Sequence, residues 1–108
     1  MSEIQNRAIQ LFHLEADDVP VTTPEFREQM LQASLKLYQA LGGTEVAAQE
    51  LLRKAAGDPK EDVARSVGDV MVSLAGVSYL HDMDMMQAAY NTLRLRLRQL
   101  APSAYAAE

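Results

Sequence analysis

Apolar side chains recur along this chain every three or four residues, the repeat of helices with one face turned inward. Ile4, Ala8, Leu11 and Phe12 set that spacing and predict a first helix over residues 2–14. Glu15 to Val21, with Asp17, Asp18 and Pro20, breaks the pattern and reads as a loop. Thr23-Pro24-Glu25 then supplies an N-cap, a first-turn proline and a first-turn acid. The second helix that follows has Phe26, Met30, Leu37, Tyr38 and Leu41 on its apolar face, and Gly42-Gly43 ends it. Thr44 caps a third helix from Glu45 to Ala56, closed by Gly57. Asp58-Pro59-Lys60-Glu61 predicts the restart of a fourth helix that runs to Leu80. Asp84 with Gln87 caps a fifth that reaches Leu100, and the tail 101–108 is expected to fray.

One segment breaks the helical rule: Leu93-Arg94-Leu95-Arg96-Leu97-Arg98 alternates as a strand does. A strand there would have no partner, whereas in a helix Leu93, Leu97 and Leu100 continue the face of Met86 and Tyr90. The helix is preferred. No internal repeat or low-complexity tract is visible. The pattern predicts a single all-α domain over 1–108, a four- to five-helix bundle with its core over about 23–100.

Composition narrows the function classes. A net charge of −5 argues against binding nucleic-acid backbone or an anionic membrane surface. The absence of cysteine excludes a disulfide framework, a thiolate metal site and a Cys nucleophile. The N-terminus lacks a signal-peptide pattern, and no apolar run approaches the ~20 residues of a membrane span; a cytoplasmic location is expected.

The fourth helix is the most informative. From Val67 to Leu80, Asp69 is its only charged residue. A helix apolar nearly all round is expected to be buried, and a buried carboxylate needs a cation, an arginine or hydrogen-bond donors. Asp62, Ser66, Asp69 and Ser73 share one stripe of that helix, oxygen-rich in the way a hard cation such as Mg²⁺ favours. A structural partner for Asp69, Arg53 or Arg94, is the competing expectation. Glu45 and Glu50 on the third helix are either metal ligands or solvated acids. Asn91, Arg94 and Arg98 fall on one face of the fifth, where they grip phosphates or complement the helix dipole. His13 and His81 have no ligand spacing, and no phosphate-binding glycine loop is present. Met83, Met85 and Met86 read as core or subunit-contact residues.

From Thr44 to Arg98 the order of these signals resembles the MazG-like all-α NTP pyrophosphohydrolases. Val46-Ala47-Ala48-Gln49-Glu50 stands where that family has EExxE, and Ala55 to Asp62 where it has its linking turn. Ser66-Val67-Gly68-Asp69 stands at ExxD, followed by the apolar run Val70 to Leu80. Asn91-Thr92-Leu93-Arg94 is similar to Asn-x-x-Lys, with Arg for Lys. Of the family's acids only Glu50 and Asp69 are matched; Val46, Ala47 and Ser66 replace the others, and Glu45 is one residue out of register.

The resemblance implies Mg²⁺ held by Glu50 and Asp69, assisted by Asp62 or Glu45, with Asn91, Arg94 and Arg98 contacting a nucleotide. The implied reaction is hydrolysis of an NTP or dNTP to a monophosphate and pyrophosphate. The depleted acids imply the alternative, a catalytically impaired nucleotide-binding or helical interaction module. A homodimer or homotetramer is expected on both accounts, because five helices in so short a chain present more apolar surface than one small core absorbs.

Overall fold

The computed structural model describes residues 1–16 and 22–100, and every described element is helical. The five helices are α1 (Glu3–Glu15), α2 (Thr23–Ala40), α3 (Glu45–Gly57), α4 (Val63–Leu80) and α5 (Met85–Leu100). The all-α expectation is met, and the Leu/Arg alternation from Leu93 to Arg98 is helical. The loop expected over residues 17–21 and the tail 101–108 lie outside the described residues.

Local chemistry accounts for most of the helix ends. Ser2 and Gln5 form a reciprocal capping box at the start of α1. Thr44 Oγ1 accepts from the Ala47 N–H at 3.2 Å, and Asp84 Oδ1 accepts from the Gln87 N–H at 2.8 Å. Thr22 occupies the N-cap of α2 in place of Thr23, without a side-chain bond, and Pro24 follows in the first turn. The largest departure is at α4. Asp58-Pro59-Lys60-Glu61 does not start that helix, which begins at Val63. Pro59 disfavours the helical conformation in the residue before it, and Asp58, at ψ 152°, becomes the extended cap that ends α3. Asp62 therefore precedes α4 instead of sharing its stripe.

The backbone contains a repeat that the residues hide. α2 and α4 each have 18 residues. Each is followed by a four-residue connection, 41–44 or 81–84, and a capped helix. Both connections leave the helix through the same pair of hydrogen bonds. Gly42 N–H donates to Gln39 O and Gly43 N–H to Tyr38 O, both at 2.9 Å. Asp82 N–H donates to Tyr79 O at 3.2 Å and Met83 N–H to Ser78 O at 3.0 Å. The left-handed position is a glycine in one hairpin, Gly42 at φ 93°, and an aspartate in the other, Asp82 at φ 52°. One geometry is thus reached by Leu-Gly-Gly-Thr and by His-Asp-Met-Asp, so no sequence repeat survives to be read.

The chain divides into two compact units, residues 22–62 and the remainder. In the second unit α1 packs on α5, and α4 packs on α5 as well. Leu11 of α1 is 1% exposed and Leu93 of α5 is 9% exposed. Polar contacts hold the two ends of the α1–α5 pair, which run parallel. Tyr90 OH donates to Glu3 Oε2 at 3.0 Å, while Arg7 pairs with Glu3 at 3.1 Å and lies over the Tyr90 ring. Arg96 grips the Glu15 carboxylate, with its closest contact at 2.7 Å, and lies over the Phe12 ring. The buried Ser78 hydroxyl is satisfied by Leu74 O at 2.8 Å.

The hydrogen bond to Glu3, a little desolvation and the Glu3 charge raise the Tyr90 phenol above its ordinary 10.0, with Arg7 opposing. A phenol pKa higher in the folded than in the unfolded chain adds stability below pH 10, and that stability is lost as pH rises through the folded value. Glu3→Gln is therefore expected to bring the phenolate transition back toward 10.0. Ultraviolet titration, differenced against Tyr90→Phe to remove the other tyrosines, reads it directly. An unmoved transition would rule out the Glu3 contact as the cause.

Candidate functional site

The residues singled out for chemistry are distributed over both units. Glu45 and Glu50 stand on α3, and Asp62 closes the same unit. Asp69, Ser66 and Ser73 stand on α4, and Asn91, Arg94 and Arg98 on α5. Among the described residues no group of three or more histidines and acids is gathered to hold a metal ion.

Asp69 is not in a closed interior. Its side chain is 61% exposed, and it pairs with Arg65, one turn earlier at 3.5 Å, where Arg53 or Arg94 was the expected partner. The expected burial of α4 is likewise absent: Val67, Val70, Met71, Val72, Tyr79 and Leu80 are all exposed. Within its unit only α5 packs on α4, and one neighbouring helix cannot cover an apolar helix all round. The face turned away from α5 carries Gly68, Val72, Ala75 and Tyr79, bordered by the Arg65–Asp69 pair. By length and composition alone, the 18 residues of α4 reach the lower bound of a membrane-crossing helix, closer than the sequence pattern suggested.

On the α4 stripe Asp69 is the only carboxylate, and the Ser73 hydroxyl donates to the Asp69 main-chain carbonyl at 3.0 Å. Mg²⁺ asks for near-octahedral oxygen, usually one or two carboxylates plus water and phosphate. One carboxylate shared with an arginine, beside two hydroxyls, does not fit that demand on its own. Glu45 accepts from Gln49 at 3.4 Å, one turn along α3, and Glu50 is exposed. On α5, Asn91 Oδ1 accepts from Gln87 at 3.0 Å. Arg94 and Arg98 have no ion pair among the described residues, and Arg98 is half-buried. Chemically this face offers two guanidinium groups to an anion.

A separate concavity involves none of the matched acids. It is a cleft of about 610 Å³ between the arms of the α2–α3 hairpin. Leu31, Leu35 and Tyr38 line one side and Ala48, Leu52 and Ala55 the other, with Glu45 the one residue of its lining that is charged at neutral pH. The residues recur at i, i+4, i+7 on each arm, so each wall is one helical stripe. Sequence reading put Tyr38 on the apolar face of α2 together with Phe26, Met30, Leu37 and Leu41, and not Leu31 or Leu35. What it missed is that α2 and α3 do not pack closely on each other, which leaves Leu31, Leu35, Leu51 and Leu52 open. Compared with family models, curated proteins and solved structures, the chain matches none.

Proposed function

We propose that this chain is a helical interaction module that acts as a homo-oligomer. One observation carries the reading. Within the α2–α3 hairpin Leu31, Leu35, Leu51 and Leu52 are 41–68% exposed, because the two arms do not pack closely on each other. Much of the exposed surface is large and apolar, on α2, α3 and α4 alike. Patches of that kind mark contact surfaces. Size-exclusion chromatography with light scattering is expected to return a dimer or tetramer at micromolar concentration. A monomer that stays folded throughout would end the proposal.

A second reading, Mg²⁺-dependent nucleotide pyrophosphohydrolysis, is favoured by the accessibility of Asp69 and by Arg94 and Arg98, which pair with no acid among the described residues. It requires Glu50 and Asp69, with Asp62 or Glu45, to reach a common cation. Arg94, Arg98 and Asn91 would bind and orient the phosphates in either event. Pyrophosphate release from NTPs and dNTPs with Mg²⁺, abolished by Asp69→Ala, is the result expected of an enzyme. Nucleotide-dependent thermal stabilisation without release fits the interaction module with a retained binding face.

A further inference from the structure

We infer that the α2–α3 cleft is a binding site for a small amphipathic cation, an amine or quaternary ammonium on an apolar body about 10 Å long. The inference goes beyond the self-association proposed above and does not depend on it.

Three observations converge. The first is size. The cleft holds about 610 Å³, inside the range of about 300–1,000 Å³ that small-molecule sites occupy. Its wall on α2 runs from Leu31 towards Tyr38, which is about 10 Å of helix. The second is the sorting of polarity along that length. α2 ends at Ala40 and α3 begins at Glu45, so Tyr38, Gln39, Thr44, Glu45 and Gln49 gather at the connection end of the cleft. Leu31, Leu35 and Leu52 line the part beyond them. A slot graded in this way suits a molecule with one polar end and one apolar end. The third is the sign of the polar end. Glu45 is the one lining residue charged at neutral pH, and it has no ion pair among the described residues. Its Oε1 accepts from Gln49 Nε2 at 3.4 Å, a long contact that a cation outcompetes. At the same end the Tyr38 ring stands against Gly43, which fixes it beside the start of α3. A carboxylate and an aromatic ring at one end of an apolar slot are the groups that recognise an ammonium. An anion is repelled there. An uncharged ligand makes the carboxylate shed water without gaining a partner.

The test is isothermal titration calorimetry of the full chain with octyltrimethylammonium, whose alkyl chain matches the length of the apolar wall. One-to-one binding is expected, with a dissociation constant on the order of 100 µM. Glu45→Gln, at an exposed position, should weaken it about fivefold, the worth of one accessible charged contact. The weaker binding of octanol should not change in that variant. Glu28→Gln, outside the lining, should leave both ligands bound as before. Ala48→Phe fills the cleft from α3 and should abolish binding, with circular dichroism confirming that its helices persist. Octanoate bound as tightly as octyltrimethylammonium, or a cation affinity unmoved by Glu45→Gln, overturns the cationic head. Binding that survives Ala48→Phe puts the ligand elsewhere and overturns the cleft, as does no binding at all. Light scattering on the same samples reads self-association separately. An oligomer that binds no octyltrimethylammonium overturns this site alone, and a monomer that binds it overturns the oligomer alone.

Discussion

Leu11→Ala is expected to cost about 3 kcal/mol of unfolding free energy, the middle of the range for leucines truncated in a packed interior. Leu11 is the one large side chain wholly enclosed within the described residues, and it lies between α1 and α5 where the neighbouring helix brings Leu93. The loss has two parts, the transfer free energy of the missing carbons and the cavity left behind. The second is large here because the helix pair is held at both ends, by Glu3 with Tyr90 and by Glu15 with Arg96, so the walls cannot collapse freely. Urea denaturation followed by circular dichroism measures it. A loss below about 1 kcal/mol would mean that the α1–α5 seam is not where the unit is held. Arg96→Ala is expected to matter less, since the pair with Glu15 is about a third exposed and screened accordingly.

The second large effect sits in the other unit. Gly43→Ala is expected to destabilise the α2–α3 connection by about 2 kcal/mol. A Cβ built on Gly43 falls within the Tyr38 ring, so the ring must swing away and give up its place against the connection. Gly42→Ala disturbs the same turn for a different reason, because its φ of 93° lies in the left-handed region that an L side chain resists. The two costs separate in a double-mutant cycle. With Tyr38→Ala already in place the Gly43→Ala penalty should largely vanish, whereas the Gly42→Ala penalty should persist. Thermal unfolding of the single and double variants checks both, and additivity at Gly43 and Tyr38 would refute the steric account.

How far the residues foretold the molecule follows from the range of the forces involved. Caps, prolines and the Gly-Gly stop act within a turn of the chain, and Ser2, Thr44, Asp84 and Gly42 do in the structure what their chemistry suggests. The alternation from Leu93 to Arg98 misled only as a pattern; period two and period 3.6 share several positions over six residues. The start of α4 was misplaced because Asp58-Pro59 serves equally as the end of one helix and the beginning of the next. Long-range facts were less legible. Arg96 gave no sign that it would hold Glu15, since that pair spans most of the chain. Asp69 read as a buried acid because composition reports that a helix wants covering, without reporting whether its own chain supplies the cover. The open cleft between α2 and α3 was hidden for the same reason.

The pairing of the first helix with the last also sets a timetable for a chain made from its N-terminus. α1 leaves the ribosome early, but α5 follows only after about 70 more residues, roughly 4–14 s at ordinary elongation rates. During that interval the α2–α3 hairpin is already complete and its cleft lies open. The seam between α1 and α5 thus closes only once the last helix is made, with the α2–α3 hairpin formed before it.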